Sequence, residues 1–532
     1  MSRRQLLMAA AICSGLGPAV AMTTSACSPP PGSTPPPSDQ PGLRRTPTRW
    51  RPAYHFSPEA GHLADPNGLV YVPGEEGVAG TFHLFHQHDG SWAHATSTDR
   101  WWWHDLPLAL VPDESGQALS GSAVVDSHNT SGLVGEAKGR GVAAIFTSTA
   151  AGEAQELATS TDGGRTFVRY SGNPVLPPIG TADFRDPKVL WDEERHRWVA
   201  VIAVTDHVSL YASDDLRSWT FLSDFGRGRG LQTAVWECPD LFQLLEDGDP
   251  ARPRWVLHVS VGDSEDTKGS TAQWFLGDFD GTRFSCPDPA GLVRVTDFGQ
   301  DFYAAQTWFG EPGREPVWLA WMGNWRYPYQ TPTLGWQGQM SVPRTLTLET
   351  RGGEPMLIQR PLDLAAIADG DAVTLEALDL TDAEPERRVP FDGTAYRLQG
   401  VLTWDGAAPP REVGVRVRVS GAKGVAFGVR PVDREVFLDR STSGTEPLPT
   451  RAGGTVAFGR RSAARSSVQP QLPFSVLVDA SSVEVFLDDG AHVGTNLVFA
   501  PDDATGVSVY AGGGSARAEQ LEVTHLRTIW SP

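Results

Sequence analysis

Three acidic residues in this chain stand beside turn formers and next to strand-like runs. They are Asp65 in His62-Leu63-Ala64-Asp65-Pro66-Asn67-Gly68, Asp186 in Arg185-Asp186-Pro187, and Glu237 in Trp236-Glu237-Cys238-Pro239-Asp240. An Asp before Pro often does no more than open a turn. Three acids in the same setting suggest carboxylates gathered round one pocket. Carboxylates so placed can cleave a glycosidic bond. One protonates the leaving oxygen while another attacks the anomeric carbon or activates water, and a retaining pair must lie about 5 Å apart. Crowding divides the labour, because one charge helps its neighbour keep a proton. A third carboxylate can hold sugar hydroxyls. Asp65, Asp186 and Glu237 meet this need in number and type; spacing alone does not assign their roles.

The elements that must position these acids read as short strands. From about 50 to 348, runs such as Thr81-Phe82-His83-Leu84-Phe85-His86 and Trp198-Val199-Ala200-Val201-Ile202-Ala203-Val204 are rich in β-branched and aromatic residues. No long segment carries a 3.6-residue period. A weak repeat of strand, acidic turn and aromatic strand recurs at Ala95–Asp99, Ala158–Asp162, Ala212–Asp215 and Gly277–Gly281. A spacing of roughly fifty to sixty residues suits propeller blades of four strands each. The innermost strand of every blade lines one channel, so acids far apart in sequence could meet there. Residues 349–376 read as a connector. From 377 to 532 the strands alternate apolar and polar residues, as in Val413-Gly414-Val415-Arg416-Val417-Arg418-Val419, which predicts a β-sandwich. No acid cluster of the N-terminal kind is visible there, and its expected role is structural.

The 532 residues suffice for two domains, and the 56 Gly and 42 Pro favour many turns. The formal net charge of −20 excludes nucleic acid and anionic membrane surfaces as natural partners and suits a neutral substrate. Eighteen Trp, whose indoles stack on sugar faces, bring in carbohydrate, although most should serve packing. Cys13 and Cys27 lie near the N-terminus; Cys238 and Cys286 make neither a disulfide framework nor a metal-ligand pattern. Whether those two pair is left open.

Residues 1–27 read as an export signal, with Arg3-Arg4 ahead of an Ala-rich apolar run, similar to a twin-arginine signal. Thr24-Ser25-Ala26-Cys27 resembles a lipoprotein cleavage box, which would leave Cys27 lipidated as the only membrane attachment; plain cleavage and release is the alternative. The Pro- and Ser-rich stretch 28–49 reads as a linker.

The motifs then acquire a family order. Asp65-Pro66-Asn67-Gly68, Phe82-His83-Leu84-Phe85-His86-Gln87-His88, Trp92-Ala93-His94-Ala95-Thr96-Ser97-Thr98-Asp99, Leu119-Ser120-Gly121-Ser122-Ala123, Arg185-Asp186-Pro187-Lys188, Glu237-Cys238-Pro239-Asp240, Asp301-Phe302-Tyr303-Ala304, Trp321-Met322-Gly323-Asn324-Trp325 and Ser341-Val342-Pro343-Arg344 follow one another as in glycoside hydrolase family 32. The chain resembles that family of invertases, levanases and inulinases across nearly all of 50–348. Ser482-Val483-Glu484-Val485-Phe486 carries a looser resemblance in the second domain. The resemblance implies a five-bladed β-propeller followed by a β-sandwich, with no metal or organic cofactor. It implies a retaining reaction on fructan or sucrose, with Asp65 as nucleophile, Glu237 as general acid and then base, and Asp186 as transition-state stabiliser. The implied substrate contacts are His62, Gln87, Trp92, Leu119, Ser120, Arg185, Tyr303 and Trp325.

Three features depart from the family pattern. Ala64 replaces the usual Asn before the nucleophile, the loop from Gln87 to Trp92 is short, and Leu119 replaces a Phe. A lost substrate hydrogen bond at a buried site costs on the order of 1–3 kcal/mol. These changes, expected at the pocket's rim or floor, leave two in-family outcomes besides exo-hydrolysis, namely an endo-acting or disaccharide-releasing levanase and a fructosyltransferase. A non-catalytic fructan-binding surface protein is the reading from another class; the presence of all three acids argues against it.

Overall fold

The structure, a computed structural model, describes residues 43–531 apart from 136, 138 and 151. The expected export signal, Cys27 and most of the linker lie outside the described residues. The described part is almost wholly β, with one short 3₁₀ turn at Leu364–Ala366. Among the described residues no helix is long and apolar enough to cross a membrane.

Five antiparallel sheets follow one another along the chain, four of four strands and the last of five. Their first strands are β1 (Pro66–Val72), β2 (Gly121–Val125), β3 (Phe184–Asp192), β4 (Trp236–Leu245) and β5 (Tyr303–Thr307). Each of these strands neighbours the next, and β5 returns against β1, so the five blades surround one axis. Closure is sealed by backbone hydrogen bonds. Tyr71 N–H donates to the Phe309 carbonyl at 2.9 Å, and Phe309 N–H donates to Leu69 at 2.8 Å. These strands are buried on both faces, and so are the second strands Thr81–His88 and Arg197–Val204 that read as apolar runs.

The acidic repeat has a local cause. The third strand of each of the first three blades ends in a Ser: Ser97, Ser160 and Ser213. Two residues later an Asp caps the turn. Asp99 accepts from the N–H groups of Trp101 and Trp102, Asp162 from Arg165 and Thr166, and Asp215 from Arg217 and Ser218. Asp280 does the same for Thr282 and Arg283 in the fourth blade. Each Asp supplies the acceptor the turn's N–H groups need before the outer strand begins.

The hairpin Arg344–Arg351 and Glu354–Pro361 completes the fifth sheet. The expected boundary at 348 therefore falls inside a strand, because this hairpin pairs through backbone bonds that hydrophobic texture does not reveal. The connector shrinks to the few residues before Val373, where the second domain's first sheet begins. That domain stacks a seven-stranded sheet on a six-stranded one, and its core is packed from inward residues such as Val413, Val415, Val417, Val476, Val478 and Val485.

Buried ion pairs join the two domains. Arg344 donates to Glu484 at 2.5 Å and to Asp297 at 3.1 Å. His55 lies between Asp479 and Glu484, its ring nitrogens 2.8 Å from each. Arg440 reaches Asp301 at 2.8 Å and the Tyr327 hydroxyl at 2.9 Å. Removing one partner of such a pair strands a charge in the interior at a cost of about 3–5 kcal/mol.

Candidate active site

The site grows from one backbone irregularity repeated in four blades. The pairing register shifts between Asn67 and Val70 in β1, Arg185 and Lys188 in β3, Glu237 and Asp240 in β4, and Tyr303 and Gln306 in β5. Each shift contains one residue in the left-handed region: Gly68 (φ 53°), Asp186 (φ 61°), Cys238 (φ 48°) and Ala304 (φ 56°). Such bulges bend a strand and re-aim its side chains. Pro187 and Pro239 follow two of them, where the ladder donor is already missing. A non-glycine residue held at positive φ costs about 1–3 kcal/mol, so three of them at one channel mouth mark a functional constraint.

The bulges bring Arg185, Glu237 and Tyr303 to equivalent stations in three successive blades, and there they meet. Arg185 Nε donates to Glu237 Oε1 at 3.2 Å, and the Tyr303 hydroxyl donates to Glu237 Oε2 at 2.7 Å. Arg185 is further held by Glu153 at 2.8 Å and Asp183 at 2.7 Å. Burial alone would weaken the guanidinium's hold on its proton, but Glu237, Glu153 and the other surrounding acids outweigh it and strengthen that hold. The Tyr303 phenol is pushed well above its usual range, by burial first and by Glu237 next.

Asp65 ends the segment leading into β1. Its backbone is fixed to Gln87, with Gln87 N–H donating to the Asp65 carbonyl at 3.0 Å and Ala64 N–H donating to Gln87 at 3.2 Å. Asp65 Oδ2 accepts from Ser120 Oγ at 2.7 Å. Asp186 Oδ2 accepts from the Cys238 N–H at 3.0 Å. The Cys238 thiol lies 3.7 Å from Asp65 Oδ2 and 3.6 Å from Asp186 Oδ2, so one sulfur touches both carboxylates while the adjacent residue, Glu237, faces Arg185 and Tyr303. All three acids are buried. One layer beyond them Lys188 bridges blades, 3.2 Å from Asp240 and 2.7 Å from the Thr307 carbonyl. Burial lowers the Lys188 ammonium's proton affinity, opposed by Asp240.

The remaining expected contacts divide into two groups. Gln87, Ser120, Arg185 and Tyr303 lie with the acids, Gln87 donating to the Ala118 carbonyl at 3.0 Å. Trp325 stands behind Tyr303, its ring 6.3 Å away and nearly perpendicular. His62 lies half-exposed, bonded to Asp89 at 2.8 Å, with its ring tilted against that of Tyr329 at 4.6 Å. Trp92 is fully enclosed. It is 0 % exposed, packs beside Phe85 and Phe146 between two blades, and donates to the Leu119 carbonyl at 2.9 Å. Through that hydrogen bond it supports the backbone that carries Ser120. The Leu119 side chain is likewise buried.

Several participants carry no readable signal of their role. Cys238 and Cys286 do not pair in a disulfide, and of the two Cys238 is at the site. Glu153 precedes an ordinary strand and has no motif. The sandwich domain contributes Arg451, whose guanidinium lies 5.9 Å over the Trp325 ring while its N–H donates to Arg326 at 2.8 Å. It sits on a small hairpin, Leu448–Pro449 with Thr455–Val456, far along the chain from every acid. Among the described residues no group of three His, Cys, Asp or Glu side chains could hold a metal ion.

Two carboxylates lie against one thiol and a third is clamped between a cation and a phenol, an arrangement chemically able to cleave a glycosidic bond. Comparison with known proteins agrees. Residues 55–361 match the N-terminal domain of glycosyl hydrolases family 32 and residues 369–525 match that family's C-terminal domain. A levanase of Bacillus subtilis is 38% identical over 494 residues, covering 90% of this chain and 71% of that protein. An extracellular exo-inulinase of Aspergillus niger is 31% identical, covering 91% of this chain and 95% of that protein. The crystal structure of exo-inulinase from Aspergillus awamori superimposes with a TM-score of 0.80 at 29% identity, covering 91% of this chain and 99% of that one. The chain belongs to glycoside hydrolase family 32.

Proposed function

We propose that this protein is an exported, retaining β-fructosidase that releases fructosyl units from levan- or inulin-type fructans and from sucrose. Asp65 is the nucleophile. A carboxylate oxygen of Asp65 attacks the anomeric carbon of the fructosyl unit, while Glu237 gives its proton to the leaving oxygen and the glycosidic bond breaks. Glu237, now a carboxylate, takes a proton from water; the water oxygen attacks the same carbon, the ester at Asp65 breaks and fructose leaves with its configuration retained. Asp186 accepts hydrogen bonds from fructose hydroxyls as positive charge develops on the ring. Gln87 and Ser120 orient the fructosyl unit, and Trp325 backs the pocket.

The observation that carries this reading is the meeting of Asp65 and Asp186 at one thiol, with Glu237 on the adjoining residue. The names of the relatives support the substrate class: levanase, exo-inulinase, and a β-fructofuranosidase of Schwanniomyces occidentalis complexed with fructosyl-erythritol, 25% identical over 90% of this chain. Export rests on the Arg3-Arg4 leader and on the extracellular exo-inulinases among the relatives, and a lipid at Cys27 is the proposed form of attachment.

Incubation with levan, inulin and sucrose, followed by product identification, tests the reading. Free fructose from the chain end is expected. A disaccharide or cyclic product would replace exo-hydrolysis with the disaccharide-releasing or transferase alternative, which the absent Asn at position 64 keeps in play. Binding without any product would indicate a fructan-binding protein.

A further inference from the structure

The sandwich domain reaches the acids through the fifth blade. The segment that enters β5 is bonded to a strand of the sandwich, His492–Leu497. Phe298 N–H donates to the Val493 carbonyl at 2.8 Å, and the N–H groups of Gln300 and Asp301 both donate to the Thr495 carbonyl at 3.0 Å. Asp301 Oδ2 accepts from the Leu497 N–H at 2.8 Å. Two residues further on stands Tyr303, whose hydroxyl holds Glu237. The entry into the strand that carries this phenol is therefore fixed from outside the propeller.

Arg440 locks this joint. It follows the sandwich strand Glu435–Asp439, and its side chain, like that of Asp301, is wholly enclosed. The guanidinium meets Asp301 Oδ2 at 2.8 Å. It also donates to the Tyr327 hydroxyl at 2.9 Å, to Gln300 Oε1 at 3.2 Å and to the Leu497 carbonyl at 2.5 Å. The Phe458 ring covers it at 3.7 Å. Tyr327 closes the ring of contacts by donating to Asp301 Oδ1 at 2.5 Å. Tyr327 stands two residues after Trp325, and their loop is tied to the same segment by Asn324, which donates to the Gln300 carbonyl at 2.6 Å. One buried cation thus holds both of the fifth blade's side chains at the site, the phenol on Glu237 and the indole behind it. A buried ion pair adds little net stability over well-packed apolar residues. What a guanidinium supplies here is a rigid fork that fixes where its partners stand.

We propose that Arg440 is a positioning residue for the acid/base: acting through Asp301, it sets the place of the Tyr303 hydroxyl and so the proton transfer by Glu237. The sandwich domain then takes part in catalysis without touching substrate. The inference rests on the fructosidase reading above, with Glu237 as proton donor. Losing the fork lets Asp301 and the start of β5 shift, and the phenol moves off Glu237. The cost falls on the step in which Glu237 delivers its proton to the leaving oxygen. A substrate whose leaving group needs no proton is spared.

The test measures kcat/KM on sucrose and on fructosyl fluoride, whose leaving group departs with little acid help. The variants are Arg440→Lys and Tyr327→Phe, each made alone and on Tyr303→Phe. Lys keeps the charge beside Asp301 and loses the fork; Phe keeps the ring and loses the hydroxyl. Alone, each is expected to lower kcat/KM on sucrose about tenfold and on the fluoride less than about twofold. On Tyr303→Phe neither should lower the sucrose value further by more than about twofold, because the link to Glu237 is already cut. A parallel fall on both substrates overturns the assignment and marks Arg440 as structural only. So does a full additional fall on Tyr303→Phe, or an unchanged sucrose value in both single variants. A wild-type protein inert toward both substrates overturns the underlying fructosidase reading and this assignment with it.

Discussion

Raising the pH above neutrality should loosen the joint between the two domains through one histidine. His55 is buried at the interface, with Asp479 and Glu484 each 2.8 Å from a ring nitrogen. Burial by itself would lower its pKa, but the hydrogen bonds and charges of the two acids win and raise it to about 9, against 6.5 for a free histidine. The native state therefore holds this proton more tightly than the unfolded chain does. The sign follows directly. The stabilisation is fully present below pH 6.5, falls as pH rises from 6.5 through 9, and is gone above that. At about 1.4 kcal/mol for each pH unit between the two values, the contribution comes to about 3 kcal/mol. Differential scanning calorimetry at pH 6.5 and pH 9.5 measures it, with His55→Gln as the control. Wild type should melt several degrees lower at pH 9.5, and the variant should start lower at pH 6.5 and change much less across the same interval. Equal pH slopes in the two proteins would refute the argument, because the proton would then not reside on His55.

Two further perturbations act on the site. Tyr303→Phe deletes the hydroxyl that donates to Glu237 at 2.7 Å without adding bulk; kcat/KM on sucrose should fall about tenfold, the loss of one hydrogen bond to the acid/base, with the melting temperature nearly unchanged. Gly68→Ala should destabilise the protein by about 1–3 kcal/mol, since φ at this position is 53° and a Cβ would come 2.7 Å from the Phe85 ring and 2.8 Å from that of Trp92. Chemical denaturation reads that loss, and an unchanged midpoint would show that the bulge tolerates a side chain.

The sequence carried the parts of this structure that depend on local patterns. The recurring Ser-x-Asp turn, with an Asp two residues past each strand-ending Ser, is a short-range device, so the blade repeat was visible. The acids were visible because Pro187 and Pro239 sit in the same bulges that turn their neighbours toward the channel. What failed to show was whatever depends on the other side of a contact. Trp92 stands in a site motif, yet its indole packs beneath Gly68 of its own blade and against Phe146 of the next, contacts that no spacing rule reveals. Arg344 and Glu484 sit in family-like motifs without chemistry of their own; their task is to meet each other across the domain boundary. The sandwich looked free of an acid cluster because Asp479 and Glu484 are separate strand residues that become a cluster only around His55. Arg451 could not be linked to Trp325 by any spacing rule.

The account's central claim is that Asp65 forms a covalent bond to fructose while Glu237 handles the proton. Mass spectrometry of the Glu237→Ala variant after brief exposure to fructosyl fluoride tests it most directly. This substrate needs little acid help to form the ester, and the missing base slows its hydrolysis. A fructosyl adduct should accumulate and map to the peptide containing Asp65, and it should vanish when Asp65→Asn is added. An adduct on another residue, or normal turnover by the Asp65→Asn enzyme, would contradict the account.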